Sequence, residues 1–241
     1  MRLEIFSYRF AKEILENPAY VEIYEEITSI CKYCPIAQYK DKSKSQAGKD
    51  VVQQAMNDYF SVAFEDNGWE SEPLVSPGDA EDGLRADFKK EYLVDNIPIR
   101  VQIEVEFGNA ASSYRNYFKF QLSYSNDMCD VAVLIVPSQH LCTRIDSGVA
   151  NFEKTVRELP QAKLSVTVPV LVIGLFDVDS AGNALEPWDL ESAAGSKDVA
   201  KGSKKEDKKK RRELMRQYWL AIKQQTKPAP KQHMLYESLD F

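Results

Sequence analysis

Residues 85–107, RADFKKEYLVDNIPIRVQIEVEF, contain two strand-like runs, 85–94 and 97–107, joined by Asp95-Asn96. If those two residues are a hairpin turn, Val94 faces Ile97 and the register of the whole ladder follows. Tyr92 then faces Ile99 and Phe88 faces Ile103, all apolar and all on one side of the sheet. On the other side Glu91 meets Arg100, Lys89 meets Gln102, Asp87 meets Glu104 and Arg85 meets Glu106. Opposite or neutral partners stabilise such a ladder, and like charges directly opposite destabilise it. Asp87 against Glu104 is the exception, with Glu106 two residues further on. One reading is a solvated strand face in which Arg85 neutralises Glu106. The other is a site for a hard divalent cation, because Mg²⁺ takes carboxylate oxygens and such a cluster can activate water against a phosphate.

Outward from the hairpin, the pattern predicts strands alternating with helices. Residues 1–7 read as a short strand, and 18–34 as an amphipathic helix with Val21, Tyr24, Ile27, Ile30 and Cys31 on one stripe. Asp50 is placed to cap a helix running to Glu65. After Phe107, Gly-Asn-Ala-Ala-Ser-Ser (108–113) reads as a turn in which Ser112 or Ser113 caps a helix over 114–126. That helix would face inward with Tyr117, Phe118, Gln121 and Leu122. Residues 129–137 and 168–178 are apolar runs of the kind found in strands buried on both faces, and 147–159 reads as a loop and helix. The expected class is α/β, a central mixed β-sheet flanked by helices. Beyond Ser180 the apolar content falls until a short amphipathic stretch at 214–222.

With 241 residues, 44% of them hydrophobic and including 12 Tyr, 11 Phe and 3 Trp, the chain can build a sizeable core, which excludes global disorder. The longest apolar stretch, Val131 to Val136, is far short of a bilayer span and no signal peptide opens the chain, so a cytoplasmic protein without membrane partners is expected. Four cysteines suggest reduced thiols. Cys31 and Cys34 look like half a zinc site but lie within a predicted helix and have no second pair, so a structural role is expected. Two histidines, His140 and His233, give little support to a Ser-His-Asp hydrolase. Net charge is −6, yet 201–231 holds 12 of the 31 basic residues and only 3 of the 37 acidic ones. That asymmetry suits an anionic partner met at one place, and equally suits a solvated face.

Asp87-Phe88, then Ile103-Glu104-Val105-Glu106-Phe107-Gly108-Asn109, then Ser112-Ser113 and Arg115 resemble the BamHI/BglII/BstYI group of type II restriction endonucleases. Cys129-Asp130-Val131-Ala132-Val133, Asp146-Ser147-Gly148-Val149 and Asn151-Phe152-Glu153 extend the resemblance, as does Ala11-Lys12-Glu13-Ile14-Leu15, so that it covers about 1–178. The resemblance implies a PD-(D/E)XK core and a homodimer that cuts palindromic double-stranded DNA, with a GATC core. It implies one or two Mg²⁺ per active site, a prokaryotic cytoplasm, and a cognate DNA methyltransferase acting on the same site. Asp87, Glu104 and Glu106 would be the metal and catalytic residues, although Glu106 stands where the wider superfamily has Lys. An upstream catalytic acid would fall on Glu72 or Glu70. Asn109, Ser112, Ser113, Arg115 and Ser147 match positions near DNA; a turn Asn and helix-capping serines are the plainer readings of those residue types. The division expected is a core over 1–180 and a basic C-terminal extension over 181–241, partly flexible with a short helix. The alternatives are a PD-(D/E)XK nuclease of another role, such as repair, and a non-catalytic DNA-binding module.

Overall fold

The computed structural model describes residues 1–226 apart from 41, 44, 79–82, 95 and 164. Asp95, half of the expected hairpin turn, and His233 lie outside the described residues, as do the last basic residues of the C-terminal run. In chain order the elements are β1 (Arg2–Tyr8), α1 (Ala11–Leu15), α2 (Val21–Lys32), β2 (Ala37–Gln38), α3 (Gln53–Asp66), β3 (Glu70–Ser71), β4 (Phe88–Val94) and β5 (Ile97–Val105). They continue with α4 (Ala110–Ser125), β6 (Val131–Pro137), α5 (Gln139–Ile145), α6 (Phe152–Glu158), β7 (Val170–Phe176), β8 (Trp188–Asp189), α7 (Leu190–Ala194), α8 (Lys197–Lys201) and α9 (Lys205–Thr226).

Six strands form one mixed sheet in the order β1-β7-β6-β5-β4-β3. The three central strands β5, β6 and β7 are parallel, while β4 and β1 run antiparallel at the flanks. Alternation along the central strands decides which layer each side chain joins. Val131, Val133 and Ile135 of β6 and Leu171 and Ile173 of β7 pack with α2, α3 and α9. Ala132, Leu134 and Val136 of β6, with Val170 and Val172 of β7, pack with Tyr117, Phe120 and Phe152 from α4 and α6. Burying each large aliphatic side chain contributes about 1.5–3 kcal/mol, so a strand apolar on both faces requires a helical layer on each side.

The expected hairpin register is present from Val94–Ile97 to Phe88–Ile103. The ladder ends there among the described residues. β4 begins at Phe88, and the chain before it turns to pair with residues 72–74: Arg85 bridges to Leu74 and donates to the Glu72 carbonyl. Asp87 therefore does not face Glu104 as a ladder pair, nor Arg85 Glu106. The helix after Phe107 starts at Ala110 rather than Tyr114, capped by Asn109, whose side chain accepts from the Ala111 N–H; neither Ser112 nor Ser113 is the cap. Its buried side chains are Ser113, Asn116, Tyr117, Lys119, Phe120 and Ser123; Tyr117 faces inward as expected, and Phe118 points outward. Asp50 does not cap α3 either, because Arg144 and Gln38 hold its carboxylate. The amphipathic stretch near the end is part of α9, whose Met215 and Trp219 are buried against α3. Cys31 and Cys34 are free, buried thiols that burial pushes up in pKa, which suits packing rather than metal binding.

Candidate active site

β5 turns Gln102 and Glu104 toward α4, and Glu106 follows just past the strand. All three are buried, Glu104 to 1% exposure. A carboxylate taken out of water this far needs partners. Lys119, itself buried on α4, supplies one: its Nζ donates to Glu104 Oε2 and, at 3.1 Å, to the Arg85 carbonyl. Asp87 closes the group from just before the start of β4, with Oδ2 accepting the Val105 N–H at 2.7 Å.

Burial, and then the charge of Asp87, push the Glu104 carboxyl up to about 8 despite the opposing Lys119. Asp87 is also raised, by burial first and with help from the charge of Glu72, against the Val105 N–H and Lys119. Burial raises Glu106 as well, and two hydrogen bonds resist it: the Gly108 N–H to Oε1 at 2.7 Å and the Asn116 amide to Oε2 at 3.0 Å. Gly108 permits the first of these. A Cβ at that position would stand 2.8 Å from Glu106 Oε1.

Glu72 is exposed, in a left-handed conformation (φ 54°), and its N–H donates to the Asp87 carbonyl. It shares a pocket of about 200 Å³ with Asp87, Asn57 and Val105. Glu70 instead pairs across strands with Lys89 and lines a different pocket. Of the two upstream acids, the geometry therefore puts Glu72 beside the buried carboxylates.

The residues expected near DNA fall into two groups. A bridge between Asn109 and Val149, with Ala110 N–H donating to the Gly148 carbonyl, joins the start of α4 to the loop after α5. Asn109 and Ser147 are thereby exposed on one rim, and Ser147 Oγ accepts from Lys49. Arg115 is exposed on α4. Ser112 lies in the first turn of that helix, while Ser113 is buried with its hydroxyl donating to the Ala110 carbonyl at 2.6 Å. Lys119 and Asn116 were not foreseen from sequence. The signal was there in Ser113, Asn116, Phe120 and Ser123, a stripe at helical spacing whose polar members match a polar sheet face.

Among the described residues no group of three or more His, Cys, Asp and Glu side chains is gathered closely enough to cage a metal. Mg²⁺ needs no such cage, since it is ordinarily held by one or two carboxylates together with substrate phosphates and water. Asp87 and Glu104 fit that requirement: one half-buried and one fully buried carboxylate, the first raising the second, with Lys119 as the cation that faces them. Glu106, with one hydrogen bond fixed on each oxygen, is an oriented acceptor.

The family model "Restriction endonuclease BglII/BglIII" matches residues 3–175, well over half of the chain. The type II restriction enzyme BamHI of Bacillus amyloliquefaciens is 27% identical over 172 residues, covering 68% of this chain and 78% of BamHI. The crystal structure of restriction endonuclease BglII complexed with a DNA 16-mer superposes with a TM-score of 0.60 at 20% identity, covering 73% of this chain and 78% of that one, a likeness of fold.

Proposed function

The chain belongs to the BglII/BglIII restriction endonuclease family, as a type II site-specific deoxyribonuclease of the BamHI/BglII group, and from that premise we propose that its cleavage of duplex DNA is Mg²⁺-dependent and centred on Asp87, Glu104 and Glu106. The observation that carries the metal dependence is the gathering of carboxylates around buried Glu104: Asp87 lies close enough to raise Glu104, and its own Oδ2 is fixed by the Val105 N–H. One or two Mg²⁺ held by Asp87 and Glu104 would supply charge stabilisation at the scissile phosphate and acidify the attacking water. Glu106, kept in one orientation by Gly108 and Asn116, accepts the proton of that water or completes the metal site. Glu72 acts from the rim of the same pocket. Asn109, Ser112, Ser113, Arg115 and Ser147 are the proposed DNA contacts, with the buried hydroxyl of Ser113 acting through the start of α4.

The target we propose is a palindrome with a GATC core, read by a homodimer because two-fold protein symmetry matches two-fold DNA symmetry. The exposed aromatics Tyr114 and Phe118, one turn apart on α4, support a second copy as the cover of that face. Host copies of the site require protection, hence a cognate methyltransferase in a prokaryotic cytoplasm. No helix among the described residues is long and apolar enough to cross a membrane. We retain the division into a nuclease core over 1–180 and a basic extension over 181–241.

Digestion of a large unmethylated DNA tests this reading. Discrete fragments with Mg²⁺, none with EDTA, and GATC-centred ends are expected. Asp87→Ala and Glu104→Ala should lose cleavage while retaining specific binding. Cutting that persists in EDTA would overturn the metal reading, and ends with another core would overturn the proposed site.

A further inference from the structure

A second groove, of about 770 Å³, lies between α3 and the N-terminal half of α9. It shares Asn57 and Glu72 with the pocket at Asp87, so the two adjoin. Its walls carry five cationic side chains, Lys205, Lys208, Lys209, Arg211 and Arg212, against the carboxylates of Asp58 and Glu72. Two of the five are structural. Arg211 is buried and donates to Asp58 and to the Gly202 carbonyl, and Arg212 pairs with Glu65. Trp219 Nε1 donates to Asp66 at 2.9 Å, so the helix is pinned to α3 along its length.

Lys205, Lys208 and Lys209 are different. All three are exposed, and no side-chain hydrogen bond or ion pair joins them to another described residue. Positions 205, 208, 209 and 212 follow helical spacing and fall on one face, with neighbours about 5–6 Å apart. Lys210 projects from the opposite face. With Asp58 taken up by Arg211, the three ammoniums outnumber the carboxylates that face them across the groove, and a polyanion with closely spaced charges relieves that excess. The groove opens beside the carboxylates where a phosphodiester must arrive.

We propose that this groove carries the phosphate backbone of the DNA strand entering the Asp87 pocket, with Lys205, Lys208 and Lys209 on its phosphates. The proposal rests on the nuclease reading above. It assigns a binding role to α9, which lies wholly outside the family-matched residues 3–175. The contact is independent of sequence, since phosphates fix register and carry no base identity.

The test is equilibrium binding by fluorescence anisotropy, with Ca²⁺ in place of Mg²⁺, to a short duplex carrying the sequence read from the digest ends and to a scrambled duplex. For Lys205→Gln/Lys208→Gln/Lys209→Gln, binding to both duplexes should weaken and the salt slope should flatten by about 0.9 per lost phosphate contact. Three contacts amount to about 40-fold less affinity lost between about 50 and 200 mM salt than the unsubstituted protein loses. The cut sequence and the melting temperature should stay unchanged. Lys210→Gln is the control: Lys208→Gln should flatten the slope and Lys210→Gln should not. An unchanged slope in the triple variant, or equal effects of Lys208→Gln and Lys210→Gln, would overturn the groove and leave a solvated face. Failure of the unsubstituted protein to bind either duplex would overturn the nuclease reading itself.

Discussion

Lys119 occupies the place that a cation would be called upon to fill. Its ammonium is buried against Glu104, on the side of the sheet where Asp87 and Glu106 also converge. Removing Lys119 takes away the donor and the positive charge that oppose the rise of the Glu104 carboxyl, and leaves that buried group without its ion-pair partner. Lys119→Met should therefore lower the melting temperature of the metal-free protein. Adding Mg²⁺ should raise that temperature more in the variant than in the unsubstituted protein, since the metal then meets an unneutralised Glu104. Thermal melts with and without Mg²⁺ read both effects, and equal Mg²⁺ shifts in the two proteins would show that Lys119 and the metal do not share a site. Glu104 and Glu106 were legible in the sequence because strand alternation puts them on one side, whereas the expected ladder pair of Asp87 with Glu104 is not formed and Asp87 joins them through the Val105 N–H instead. Lys119 was not read, because it reaches that face from a different element and the stripe on its helix is mostly polar, a pattern easily taken for a solvated face.

At the scale of elements, α5 acts as a brace. Arg144 at its end donates to both oxygens of Asp50, at 3.0 and 2.9 Å, and to Asp177 just past β7 at 2.9 Å. Burial would raise both carboxyls, but for Asp50 the bonds from Arg144 and Gln38, and for Asp177 those from His140 and Arg144, outweigh it, and both end below the usual range. A depressed carboxyl contributes stability above its unfolded pKa, about 3.9, and loses it as pH falls through the folded value. The brace should therefore be intact at neutral pH and fail below about pH 4. Arg144→Met should be destabilised by about 3–5 kcal/mol near neutrality, and its stability should decline less steeply in acid. Urea unfolding at about pH 7 and about pH 3 measures the difference, and parallel pH profiles would contradict it. This brace explains why Asp50 misleads when read locally. An Asp three residues before a helix looks like a cap, and only the tertiary arrangement of Arg144 reveals where its carboxylate goes. The strands were easier to read, since β6 and β7 are apolar at every position and nothing competes with that signal.

For the whole molecule, the outward face of α4 bears on assembly. Phe118 is 59% exposed and Tyr114 52%, beside a helix α6 to which the Tyr114 hydroxyl donates at Glu158. Phe118→Glu places a charge where a second copy would pack. It should shift the protein from dimer to monomer in light scattering at low micromolar concentration, and convert cutting of palindromic sites to nicking or none. A variant that remains dimeric would place the two-fold axis elsewhere. The attachment of α9 to α3 has its own consequence, one of timing. Tyr59 on α3 is covered by the rings of Tyr218 and Trp219, at centroid distances of 6.0 and 5.9 Å, and Arg211 reaches Asp58 across 153 residues of chain. During synthesis the hairpin that carries Asp87 and Glu104 emerges early and closes on itself, since its contacts are local. The face of α3 waits uncovered until α9 leaves the ribosome. A nascent chain thus acquires its acidic cluster long before its lysine-lined groove, and a chain released before α9 is made exposes aromatic surface to its neighbours.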